Sequence, residues 1–323
     1  MESCWSGAGS KKDPSAAETK PKRKTRARRK RWGWTEAYAN PSGSWYFCHK
    51  LFDMKFADVK NDIAFRKIFG NENKKEVLIS FLNAVLDFKE KHQIMDVTVL
   101  NPYQLPKFRD GKATIIDVKA KDQSGREFIV EMQVANALGF SKRVLYYTSQ
   151  GYVSQIDRGE FYDKLKPTIF VGILDFEITK SPKYICRHRI LDVETGEQIM
   201  EDMEFNFIEL PKFKVQRKEL KTLVEKWVFF IKEAENLEVI PEDMDDPGLK
   251  AAYEEANIQT WSPEELEAYD YAGLRETEDR LRLEKVKADA KKEEKVEIAR
   301  QMKNKGIDNK TISELTGLPE DEM

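Results

Sequence analysis

Apolar side chains recur along this chain at two spacings, and the alternation between them outlines a mixed α/β fold. In residues 58–70 (DVKNDIAFRKIFG), Ile63, Phe65, Ile68 and Phe69 fall on or near one face of a helix, with Gly70 placed to end it. Residues 73–88 keep the helical spacing through Val77, Leu78, Phe81, Leu82 and Val85. Three β-type runs follow, at 94–100, 114–121 and 127–134. The last two flank Asp122-Gln123-Ser124-Gly125, a turn signal that makes them an antiparallel hairpin. Residues 138–156 read as an aromatic-rich helix, 168–178 as a buried strand, and 184–193 and 203–210 as two further strands. The predicted core runs helix, three strands, helix, strand, with added strands after it.

Beyond Pro211 the spacing is helical. Residues 218–237 form an amphipathic helix with Leu220, Leu223, Val224, Trp227, Phe230 and Ile231 inward. An acidic turn, IPEDMDDPG, separates it from a helix at 249–259. Ser262-Pro263-Glu264-Glu265 combines an N-cap serine, a proline at the first helical position and a glutamate three residues after the cap. The helix it opens is expected to reach Gly306 and is mostly charged after Leu283, so it projects into solvent or pairs with another chain. A last helix, Asn309–Thr316, is capped by Asp308 and stopped by Gly317. Four regions follow: an extension at 1–53, an α/β domain at 54–215, a helical region at 216–305 and a short helical tail at 306–323.

Charge changes this picture at one end. The chain of 323 residues carries 55 basic and 57 acidic side chains, a net charge of −2. Residues 1–53, however, hold 12 basic and 5 acidic residues, and nine of those basic residues lie in the run KPKRKTRARRKR at 20–31. One reading is a disordered arm that neutralises nucleic-acid phosphates. The preferred reading is that 1–53 is not native sequence and Met54 is the true start, because regular patterning begins there. A hydrophobic content of 40% with 18 Phe excludes wholesale disorder. No apolar run approaches the ~20 residues of a membrane span, and no signal segment is visible. Cys4, Cys48 and Cys186 are too few and too scattered for a disulfide framework or a zinc site. The expectation is a soluble cytoplasmic protein.

The hairpin carries the candidate chemistry. Alternate strand residues share a face, so Ile115, Asp117, Lys119 and Lys121 point one way and Ile116, Val118 and Ala120 the other. On the second strand Ile129, Glu131 and Gln133 lie opposite Phe128, Val130, Met132 and Val134. An acid among Ile and Val is costly to bury without a partner. Two acids on neighbouring strands suit a hard divalent cation. They equally suit ordinary solvent-facing residues salt-bridged to Lys119 or Lys121, and spacing alone favours that reading. His49, His92 and His188 have no recognisable partners and read as structural or surface residues.

The phrases NDIAFRKIFGNENKKEVLISFLNAVL, LNPYQLPK, IIDVKAKDQSGREFIVEMQV, KRVLYYTSQGYVSQI, IFVGILDFEI and FNFIELPKF, in that order, resemble the recombination-promoting nuclease/transposase family of the PD-(D/E)XK nuclease superfamily. The resemblance extends from about residue 54 to about residue 271 and leaves 1–53 without a counterpart. It implies a restriction-endonuclease-like core and places the acidic signature on Asp117 and Glu131. The third signature position, usually lysine, is Gln133, as is typical of this branch. Glutamine orients water but brings no charge, and Lys119 is the candidate to supply the missing ammonium.

By the same resemblance, Asp117, Glu131 and the Met132 carbonyl would hold Mg²⁺, with Mn²⁺ as a substitute. Asp62 would contribute from the first helix, or else serve only as a helix N-terminal charge. Lys121, Arg143, Tyr147 and Gln150 are candidate DNA contacts, the last three on one helix face. The ending EIARQMKNKGIDNKTISELTGLPEDEM resembles a small helix-turn-helix with Ile298, Met302, Ile307, Ile312 and Leu315 as its minimal core. Nearby acids favour protein association, including a homo-oligomer through the C-terminal helices, over groove insertion. The implied function is a Mg²⁺-dependent DNA endonuclease of recombination or transposition. The alternative is an inactive nuclease fold kept for DNA binding or protein interaction.

Overall fold

The computed structural model describes residues 56–104 and 114–319. The basic run at 20–31, Cys4, Cys48, His49, Met54 and the last acidic residues lie outside them. The strands are β1 (Val97–Leu100), β2 (Tyr103–Gln104), β3 (Thr114–Ile115), β4 (Val118–Asp122), β5 (Glu127–Gln133), β6 (Thr168–Leu174), β7 (Ile185–Arg189) and β8 (Met203–Glu209). Six of them form one mixed sheet in the order β1-β4-β5-β6-β8-β7, while β2 and β3 pair separately. β5, β6 and β8 run parallel at the centre, and β1, β4 and β7 are antiparallel to their neighbours. Every residue of β6 is buried, as the unbroken apolar run TIFVGIL requires of a strand covered on both faces.

The helices are α1 (Asp62–Phe69), α2 (Lys75–Leu86), α3 (Phe140–Val153), α4 (Leu223–Glu233), α5 (Pro247–Glu255), α6 (Pro263–Asn304) and α7 (Asn309–Thr316). α1, α2, α4 and α5 cover one face of the sheet around Phe65, Phe69, Phe81, Phe128, Val130, Trp227, Phe230 and Tyr253. α3 covers part of the other face through Phe140 and Val144, packed on Ile129, Phe170 and Phe207. The larger cluster runs across residues 215 and 216, so the helices beyond that point share one core with the sheet. Gly248 permits this: a Cβ there would lie 2.2 Å from the Glu76 carbonyl oxygen on α2.

Caps set the helix ends. α1 begins at Asp62, four residues later than its apolar pattern, because the Asn61 side chain accepts from the Ile63 and Ala64 N–H groups. The same side chain donates to the Tyr269 carbonyl (3.2 Å), and the Tyr269 hydroxyl accepts from the Asp58 N–H (2.9 Å), so α6 grips the start of α1. Ser262 and Glu265 form the expected capping box of α6.

From residue 278 to 294 every described side chain of α6 is exposed, which gives a polar bridge between two packed ends. At its far end Ala299, Ile312 and Leu318 form a small core with Val296, Met302 and Ile307 against it. Ile298 and Leu315 are exposed rather than buried. Val296, Ala299 and Met302 share a face at helical spacing, and Ile298 points off it. Among the described residues no helix is long and apolar enough to cross a membrane.

Candidate active site

The hairpin forms with Asp122 holding its turn: one carboxylate oxygen accepts from the Ser124 and Arg126 N–H groups. Its first strand is not continuous. β3 leaves with β2, the chain bends at Ile116 and Asp117, and β4 starts at Val118, opposite Val130. The bend turns Asp117 toward the β5 backbone. The Met132 N–H donates to Asp117 Oδ2 (2.9 Å), and the Asp117 N–H donates to Glu131 Oε1 (3.3 Å). Each carboxylate is thus fixed by the backbone of the other's segment. Asp117 is 9% and Glu131 5% exposed, so these are not solvent-facing residues of a half-exposed hairpin. Beside Glu131 in register is Gly172, where a Cβ would come within 2.9 Å of the Phe170 ring.

Burial raises the pKa of both groups. For Asp117 it outweighs the Met132 N–H and the Arg66 guanidinium, which favour the charged form. Glu131 is raised further, first by burial and then by the negative charge of Asp117, against the pull of Arg143. Burial thus outweighs the cations beside the pair.

Two arginines approach it. Arg66 on α1 donates through Nε (3.2 Å) and Nη2 (2.9 Å) to Asp117 Oδ1, with Nη2 also 3.6 Å from Asp62. Arg143 on α3 donates to the Gln133 side-chain oxygen, and the Gln133 amide nitrogen donates to the Met132 carbonyl (2.8 Å) and to Glu131 Oε2 (3.3 Å). The Tyr147 ring lies 6.0 Å from the Arg143 guanidinium. Its hydroxyl pKa is raised by burial and by the nearby Glu131 charge. On α6, Glu276 accepts from the Asp62 N–H (3.0 Å). Its pKa is pushed up to about 7, chiefly by burial, with Asp62, Asp58 and Asp117 adding repulsion.

The structure thus brings Asp117, Glu131, Met132, Gln133, Asp62, Arg143 and Tyr147 together. Gln150 is half-buried further along α3. Lys119 is turned to Glu127, with which it makes a buried ion pair at 2.9 Å. Lys121 is exposed near the hairpin turn, about 13 Å from Asp117 by ordinary strand rise. Arg66 and Glu276 are the members that sequence reasoning missed. The spacing of Asp62 and Arg66 as an i,i+4 pair was a usable signal for the first. Glu276 is brought in by long-range packing that no local pattern announces. His188 lies on the surface against the Phe207 ring, and Cys186 is a free thiol.

The donor set fits a hard divalent ion: two buried carboxylates that converge from neighbouring strands, with the main-chain carbonyl of Met132 next to Glu131. Among the described residues no three His, Cys, Asp or Glu side chains converge as a metal cage. A cation here would complete its shell with water or substrate oxygens, as Mg²⁺ commonly does.

Residues 59–302 match the family described as "PD-(D/E)XK nuclease family transposase". Residues 292–323 match "Rpn/YhgA-like nuclease family, C-terminal HTH domain". No curated protein and no solved structure matches the chain.

Proposed function

The chain belongs to the PD-(D/E)XK nuclease family of transposases, and from that premise we propose that it is a Mg²⁺-dependent DNA endonuclease serving recombination or transposition. The observation that carries the reading is the pair Asp117 and Glu131, buried, held by each other's backbone and undercompensated in charge. Buried carboxylates converging in this way, with pKa values raised by burial, are candidates for a functional site. Asp117, Glu131 and the Met132 carbonyl would hold the ion, with Asp62 at its edge. When bound, the ion would polarise the scissile phosphate and make water acidic enough to attack it at neutral pH.

The chain's own residues supply the rest. Gln133 locks the Glu131 carboxylate and the Met132 carbonyl in one orientation. It carries no charge, so the positive charge a lysine would bring comes from Arg143, one hydrogen bond away. Lys119 is occupied by Glu127, and Arg143 takes the role sequence reasoning gave it. Tyr147, beside Arg143 on the same helix, borders the place where a phosphate would lie. The helix-turn-helix at 292–323 adds a second DNA contact, carried on the exposed length of α6.

Supercoiled plasmid tests the reading. The full chain should nick it in Mg²⁺ and not in EDTA, and Asp117→Asn should abolish nicking without lowering the thermal midpoint. The competing reading, a nuclease fold kept only for binding, rests on the uncharged Gln133. It prevails if the wild-type chain binds plasmid but leaves it uncut. Cutting that survives in Asp117→Asn would remove the site assignment.

A further inference from the structure

Arg66 is bonded to the oxygen that a metal would need. Both of its donors go to Asp117 Oδ1, while Oδ2 is taken by the Met132 N–H. Among the described residues no other cation bonds Asp117. The contact is not a buried structural ion pair, since the Arg66 side chain is 41% exposed at the mouth of the site and reaches both Asp62 and Asp117. The surroundings are charge-imbalanced. Asp62, Asp117 and Glu131 surround Arg66, with Arg143 beside Glu131, so carboxylates outnumber cations at the mouth a polyanion must enter.

We propose that Arg66 is a resident counter-ion with two positions. Its guanidinium holds Asp117 in place and covers Oδ1. On entry of a divalent ion it yields that oxygen and turns to the DNA phosphate at the same mouth. This inference rests on the metal-site reading above and deepens it by assigning the order of events: ion first, DNA second. An arginine suits the exchange because its planar fork pairs with carboxylate and phosphate alike, and it keeps its charge throughout.

Two affinities must then move in opposite directions when the charge is removed. Arg66→Gln should bind Mn²⁺ more tightly than wild type by calorimetry, by about tenfold, because a competing positive charge a few ångströms from the ion is gone. In Ca²⁺, the same variant should bind a DNA duplex several-fold more weakly. Arg66→Lys, which keeps charge but loses the fork, should lie between the two in both measurements. A merely structural Arg66 would lower both affinities together when replaced, and that result overturns the proposal. So does Mn²⁺ affinity that is unchanged in Arg66→Gln while wild type binds the ion. Wild-type protein that takes up no Mn²⁺ defeats the metal site itself, and this inference with it.

Discussion

Two glutamates stand at strand ends in this protein, both nearly sealed from water, and they have opposite characters. Glu209, at the end of β8, accepts from Lys212 (2.8 Å), from the Thr179 hydroxyl (2.6 Å) and from the Ile178 N–H (2.8 Å). Those donors outweigh its burial and hold its pKa down at about 2. Glu131, at the end of β5, receives two long hydrogen bonds of 3.3 Å and faces a second carboxylate, and its pKa is raised. Glu209 is a finished ion pair that fastens the loop after β6 to the sheet. Glu131 is built to be incomplete. Burial alone does not mark a functional carboxylate; the missing counter-charge does.

Breaking the finished pair should give the largest effect. Lys212→Met leaves Glu209 charged and unpaired in the interior, and should cost about 3–5 kcal/mol of stability in a denaturant titration. Breaking the incomplete pair should do the reverse. Glu131→Gln should leave stability equal or higher in EDTA, yet lower plasmid nicking by at least about a hundredfold. A drop in stability there would make Glu131 a second Glu209. Arg143→Gln should sharpen the comparison by about tenfold in nicking rate with little change in thermal midpoint, since it removes charge near the pair and leaves the pair intact.

The pH dependence also separates the two regions, with opposite sign. The folded pKa of Glu209 lies below its unfolded value of 4.5, so its stabilisation is present above that value and is lost as pH falls toward about 2. Glu276, beside the incomplete pair, lies above its unfolded value of 4.5, at about 7, so stability is lost as pH rises through that range. In EDTA the thermal midpoint should climb as pH is lowered from about 8 to 5, and Glu276→Gln should flatten that climb while Glu209→Gln flattens only the acid limb.

Much of this was readable from the chain. The period-two runs gave the hairpin, the two carboxylates and the faces except at Ile116, which the bend puts with Ile129 and Phe140 instead of with Val118 and Ala120, and Ser262 with Glu265 marked the start of α6. Local patterning failed where tertiary geometry decides. Thr114 to Lys121 has continuous β propensity, so nothing in it announces the bend at Asp117 that aims its carboxylate. Lys119 shares a face with Asp117, but its partner is Glu127, diagonally across the strands, which alternation cannot distinguish from Glu131. Arg66 and Glu276 come from helices far apart in sequence and both reach Asp62, where Asn61 and Tyr269 fasten α1 to α6. In the tail, Met302, Ile307 and Ile312 pack as the pattern expects, while Ala299 and Leu318 fill the places assigned to Ile298 and Leu315.

The claim that Glu131 and Asp117 lack a metal's charge is met most directly by the thermal midpoint of the full chain with and without Mg²⁺. Wild type should rise on adding the ion, because whatever binds only the folded state stabilises it. Glu131→Gln should start at or above the wild-type value in EDTA and then fail to respond. A wild-type midpoint indifferent to Mg²⁺, or a Glu131→Gln protein that responds as strongly as wild type, would contradict it.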